Sequence, residues 1–107
     1  MAMPATAPLP AKTVCLVLYR PGAAWLDDSA RDMSLLAHGR FLAGLVRAGK
    51  VLQAGPYTEP GGAAIFDSDC AADVREIVGR DPAVRAQLFE FEIREWRQLD
   101  WNLINSR

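Results

Sequence analysis

Few residues in this 107-residue chain have side chains and spacing suited to chemistry. His38, the only histidine, sits in the stretch LLAHGRFL (residues 35–42), and Asp81 directly precedes Pro82 in GRDPAV. A carboxylate that accepts a hydrogen bond from one imidazole nitrogen fixes the tautomer and raises the basicity of the other nitrogen. His38 and Asp81 together would then form a general acid/base pair able to move a proton at a carbon next to a carbonyl. Each also has a plain structural explanation. An inward histidine on an apolar stripe is more often a pocket or core residue, and aspartate before proline is a helix cap ahead of N1. Gly55-Pro56, in AGPY, marks a place where a missing side chain would let a small molecule approach the backbone. Arg20 and Arg31 are candidates to hold a substrate carboxylate, although a solvated surface charge is the favoured reading of each.

The surrounding pattern predicts the elements that must position these residues. TVCLVLY (residues 13–19) is β-branched and aromatic, with Val14, Leu16 and Leu18 on one face and Cys15, Val17 and Tyr19 on the other. A strand apolar on both faces belongs in a covered, central position. A helix follows, beginning between residues 24 and 31 and ending near Ala48. Asp27, Asp28 and Asp32 suit its start, Arg47 and Lys50 flank its end, and Gly49 suits the C′ position. At 100° per residue, Leu35, Phe41, Leu42, Leu45 and Val46 share an arc that contains His38, so the imidazole faces inward.

Residues 51–57 and 63–67 read as two strands joined by TEPGG, with Pro60-Gly61 suited to a type II turn. A second helix is expected from a Ser68 or Asp69 cap, with Cys70, Val74, Ile77 and Val78 as its stripe and Gly79 as its stop. A short helical turn opens at Asp81-Pro82. FEFEIREW (residues 89–96) then alternates strictly, with Phe89, Phe91 and Ile93 opposite Glu90, Glu92, Arg94 and Trp96. The order strand, helix, strand, strand, helix, strand predicts an α+β, ferredoxin-like βαββαβ fold, a four-stranded antiparallel sheet with both helices on one face. The uncovered face is expected to carry Cys15, Val17 and Tyr19. Being too apolar to stay wet, it predicts a homodimer with sheets packed face to face. The expected organisation is a flexible lead-in over residues 1–12, one domain over 13–97 and a tail over 98–107 that docks through Trp101, Leu103 and Ile104.

Composition narrows the function. Twelve basic against 13 acidic residues give a formal net charge of −1, with no basic stripe, which argues against nucleic acid as a partner. No apolar run approaches a membrane span, and the N-terminus lacks the charged and apolar regions of a secretory signal. The expected address is cytoplasmic, with Cys15 and Cys70 as reduced, buried thiols. One histidine and two scattered cysteines do not make a metal site, and no cofactor is expected. GLVRAGKV (residues 44–51) follows a phosphate-loop pattern until Val51. It lies at a helix end rather than a helix start, however, so the nucleotide reading is set aside.

HGRFLAGLVRAGKVLQAGP, GRDPAV and FEIREW together resemble the YciI-like (YCII-related) proteins. Their hallmark is H-x-x-F/L-x-x-L-x-x-x-G, then G-P after the second strand and D-P before the last. Here these are His38, Phe41 or Leu42, Leu45 and Gly49, then Gly55-Pro56, then Asp81-Pro82, and the resemblance spans residues 14–96. It implies a dimeric α+β barrel and marks His38 and Asp81 as the active-site pair. One branch dehydrochlorinates a chlorinated hydroxymuconate, and the wider superfamily includes muconolactone isomerases. The expectation is therefore a cofactor-free, metal-free lyase or isomerase acting on a small organic acid. The rival is a non-catalytic dimeric module that binds a small ligand, with an assembly role for the tail as a third reading.

Overall fold

The computed structural model describes residues 11–105, in the order β1 (Ala11–Pro21), α1 (Asp28–Arg47), β2 (Val51–Pro56), β3 (Gly62–Phe66), α2 (Ala71–Val78), α3 (Pro82–Arg85), β4 (Phe89–Leu99) and α4 (Trp101–Asn105). The first ten residues of the expected lead-in lie outside the described residues. Strands run in the order β2-β3-β1-β4, all antiparallel, which is the ferredoxin-like sheet. The doubly apolar β1 is central, as its composition requires.

The register shows which face the helices cover. Tyr19 pairs with Phe91 and Val17 with Ile93 on β4, while Cys15 pairs with Phe66 and Val17 with Ala64 on β3. Residues paired across a sheet share a face. These side chains form the core with Val74 and Val78 of α2, Ala83 of α3, and Leu88. Leu42 and Leu45 of α1 and Ile77 of α2 pack against it. The expected assignment of faces is therefore reversed: Cys15, Val17 and Tyr19 lie under the helices. The opposite face carries Val14, Leu16, Leu18 and Ile65, interrupted by Arg20, Glu90, Glu92 and Arg94. Both faces of β1 are apolar, so its own alternation could not distinguish them; the one-sided pattern of β4 decides once the register is set.

Local signals end the elements where expected at three places. Asp27 caps α1 by accepting from the Ser29 N–H at 3.1 Å, and Gly49 leaves the helix at φ 75°. Gly61 takes φ 110° in the β2–β3 connection, where a Cβ would also lie 2.5 Å from the Tyr19 carbonyl oxygen. The expected α2 cap is displaced. Cys70 is the N-cap residue and makes no side-chain capping bond, whereas Ser68 Oγ accepts from the Cys70 N–H before the helix begins. Cys70 is half-buried and only Cys15 is fully buried; both are free thiols. The tail differs too, because β4 continues to Leu99 opposite Ala11. Trp101 is 64% exposed and no residue of α4 is buried, although Leu103 and Ile104 are half-buried. Among the described residues, no helix is long and apolar enough to cross a membrane.

Candidate active site

Residue 38 lies midway along α1, on the stripe that turns toward the sheet, and residue 81 opens α3. The packing of α1 against α3 brings them together: His38 Nδ1 lies 2.5 Å from Asp81 Oδ2. Asp81 is completely buried and is the only charged residue among the buried set of the described residues. Its other oxygen, Oδ1, accepts from the Ala83 N–H at 2.9 Å, which is the N-cap bond of α3. The cap and the histidine partner are thus the same carboxylate. A buried carboxylate needs such partners, since losing either would leave charge desolvated without compensation. With Nδ1 engaged, Nε2 is the ring nitrogen left for chemistry.

The imidazole is 14% exposed and sits among aromatic rings. Tyr19 meets it edge to face at 5.0 Å between centroids, and Phe89 does so at 5.1 Å. Trp25 stacks on Phe89 at 5.6 Å. The loop carrying Trp25 is fastened to the turn before β4 by Gly22 N–H to Leu88 O and Ala24 N–H to Gln87 O. The Arg31 guanidinium lies over the Trp25 ring at 5.3 Å and donates to the Trp25 carbonyl at 3.0 Å.

A cleft of about 540 Å³ opens beside His38, within the range of small-molecule sites. It is lined by Leu35, Leu42 and Val46 of α1, by Ala54, Gly55, Pro56 and the β2–β3 connection, and by Tyr19, Trp25 and Phe89. Leu35 and Val46 are 36% and 49% exposed, so part of the α1 stripe overhangs the cleft rather than entering the core. Among the described residues, the only lining side chain besides His38 that can carry a charge in the ordinary pH range is that of Glu59. Tyr19 is 2% exposed, and burial followed by the nearby Asp81 carboxylate pushes its phenol well above the usual tyrosine range.

The residues singled out from the sequence therefore separate. His38, Gly55 and Pro56 line the cleft, and Asp81 reaches it through His38. Gly55 does so by its backbone. Its register with Ala63, itself paired with Leu18, points its missing side chain toward the opposite face, where a Cβ would meet nothing within 4 Å. Arg20 is on that opposite face as well, ion-paired with Glu90 at 3.0 Å and reaching Glu92 at 3.9 Å. It does not line the cleft. Arg31 does not line it either and acts on its lining through Trp25. The sequence reading passed over Tyr19, Trp25 and Phe89 as site residues. Strand signals accounted for Tyr19 and Phe89, which only the register brings against the imidazole, and Trp25 joins them by stacking on Phe89. Among the described residues no three His, Cys, Asp or Glu side chains are grouped to hold a metal ion.

The model of the YCII-related domain matches residues 11–97, most of the chain and all of the sheet up to Arg97. The chain belongs to the YCII-related family. No curated protein matches it. Among solved structures, this YCII-related chain is similar to the 5-chloro-2-hydroxyhydroquinone dehydrochlorinase of Burkholderia phenoliruptrix, in its complex with 2,5-dihydroxybenzoquinone. The TM-score is 0.58 at 22% identity, covering 77% of this chain and 92% of the other. At that identity the likeness establishes the shared fold.

Proposed function

We propose that this YCII-related protein is an acid/base enzyme of the lyase or isomerase type, working without a cofactor on a small, unsaturated, oxygen-bearing organic molecule. The observation that carries this reading is the His38–Asp81 contact at 2.5 Å, with the carboxylate fully buried and the imidazole on the cleft. Asp81 holds the proton on Nδ1, so Nε2 has the free lone pair. Nε2 takes a proton from a carbon activated by a neighbouring carbonyl. The electron pair then either expels a leaving group on the adjacent carbon or returns with the proton at a different carbon. The imidazolium formed is stabilised by Asp81, and apolar walls keep water from the reacting carbon. The similar fold of a dehydrochlorinase supports the elimination branch, with an aromatic rather than a muconate substrate.

The apolar lining equally suits a module that only binds, because specific binding needs little more than a shaped apolar cleft with a few polar groups. The uncovered face with Leu16, Leu18 and Ile65 supports a homodimer through that face, and two free cysteines support a cytoplasmic address.

The test incubates the protein with a panel of chlorinated hydroquinones and hydroxyenones. It follows chloride release and, in D2O, deuterium incorporation by NMR. Turnover that falls about 10²–10⁴-fold in a folded His38→Ala variant supports the proposal. A binding module would show 2,5-dihydroxybenzoquinone binding with neither chloride release nor exchange. Turnover unchanged in His38→Ala would remove the histidine from the mechanism.

A further inference from the structure

The Tyr19 hydroxyl is the one buried side-chain polar atom among the described residues that has no hydrogen-bond partner. It belongs to a residue 98% buried that lines the cleft next to His38. Buried hydroxyls in folded proteins are nearly always satisfied, and one that is not calls for an explanation. The Asp81 carboxylate is close enough to act on the phenol, yet its oxygens are engaged by Ala83 and His38, and the hydroxyl bonds to neither. A phenylalanine would pack the same ring edge against His38 and leave no unpaired atom. The oxygen is therefore unexplained by the fold.

We propose that Tyr19 is a specificity-determining residue that donates a hydrogen bond to an uncharged oxygen of the ligand, a carbonyl or a phenol, and holds the ligand's adjacent carbon beside His38. This rests on the reading of the cleft as the substrate site, and names the substrate class for it. Two further observations select an uncharged oxygen over a carboxylate. Among the described residues no arginine or lysine lines the cleft, Arg20 being ion-paired on the other face and Arg31 packed over Trp25. The acidic groups on the cleft lining and against the imidazole are Glu59 and Asp81, which disfavour an anion. The phenol stays neutral there, because burial and Asp81 both oppose its ionisation. It therefore serves as a donor and leaves the role of base to His38.

The experiment uses the full chain and three probes of one shape: acetophenone, α-methylstyrene (its hydrocarbon counterpart, with CH2 in place of oxygen) and benzoate. Dissociation constants come from NMR shift perturbation, and the carbonyl of ¹³C-labelled acetophenone reports the hydrogen bond directly. In the parent, acetophenone binds more tightly than both other probes, and its bound carbonyl resonance lies downfield of its position in an aprotic solvent. In Tyr19→Phe the preference for acetophenone over α-methylstyrene shrinks by about tenfold, and the carbonyl resonance moves back upfield. The melting temperature is unchanged or higher, because the unpaired hydroxyl is gone.

Equal preference in parent and variant overturns the assignment of Tyr19, as does an unshifted carbonyl in the parent if the variant does not fold. Tighter binding of benzoate overturns the uncharged class. If no probe binds the parent, both the proposal and the cleft reading fall. Intact discrimination without turnover on any substrate removes only the enzymatic reading.

Discussion

Asp81 divides its two carboxylate oxygens between its own helix and a side chain 43 residues away. Oδ1 takes the Ala83 N–H at 2.9 Å and Oδ2 meets His38 Nδ1 at 2.5 Å. A helix cap thus orients the imidazole, and the cap and orienting roles can be separated by substitution. In Asp81→Asn, an amide oxygen still caps α3, while the amide NH2 facing Nδ1 can only donate. The histidine must then shift its proton to Nε2, leaving no base on the cleft. The ¹⁵N resonances of the single histidine should report that switch, with turnover falling by at least about 10²-fold and the fold retained. Asp81→Ala loses the cap as well and should be less stable than Asp81→Asn by about 1 kcal/mol in denaturant unfolding. An unchanged tautomer in Asp81→Asn would leave Asp81 as a cap alone.

Tyr19 makes stability depend on pH at the alkaline end. Its phenol is raised in the folded state by burial first and by Asp81 second, so the folded form holds the proton more tightly than the unfolded chain. The associated stability is fully present below the ordinary tyrosine value of 10.0 and declines as pH rises above it. Chemical unfolding between pH 9 and about 11 should show this decline in the parent and a smaller one in Tyr19→Phe. Parallel curves would mean that Tyr19 ionises without opposition from its surroundings.

Gly61 is fixed by two constraints, a φ of 110° and the Tyr19 carbonyl oxygen 2.5 Å from where a Cβ would stand. Because that obstacle is backbone, relief requires the β2–β3 connection to move away from β1, and the cleft wall with it. Gly61→Ala should cost on the order of 1–3 kcal/mol and weaken ligand binding together. A melting temperature equal to the parent's would show that the connection yields freely.

Arg20 and Gly55 serve as controls for the position of the cleft. Arg20→Ala removes an exposed ion pair with Glu90, and Gly55→Ala adds a methyl group where no atom lies within 4 Å. Each should change stability by less than about 1 kcal/mol and leave ligand affinity within twofold in titrations. A large loss of affinity in Arg20→Ala would return a cation to the substrate site.

Much of this arrangement could be read from residue order alone. The alternation in residues 89–96, the aspartates at the start of α1, Gly49 after it and Asp81 before Pro82 each act within one turn or one strand. Local physics therefore fixed the element types and most of their ends. The stripe of α1 likewise turned His38 inward without reference to any other element. Where local signals were duplicated or weak, the reading failed. Ser68 and Asp69 both looked like caps although Cys70 took the position, and the last strand was read to end at Trp96 although β4 continues to Leu99.

The face of β1, the place of Arg20 and the surroundings of the imidazole were decided only in three dimensions. Val14, Leu16 and Leu18 are as apolar as Cys15, Val17 and Tyr19, so neither set is marked for the helices until pairing with Phe91 and Ile93 selects one. That single choice of register sends Tyr19 under α1 and Arg20 to the opposite side, because side chains alternate at every residue along a strand. It also places a buried hydroxyl without a partner beside His38. The sequence by itself singled out His38, Asp81 and Gly55-Pro56 and turned His38 inward on α1, while it passed over Tyr19 and offered Arg20. The tertiary structure decided which of those residues share a cleft, since that depends on contacts between segments far apart in the chain, and no local pattern records them.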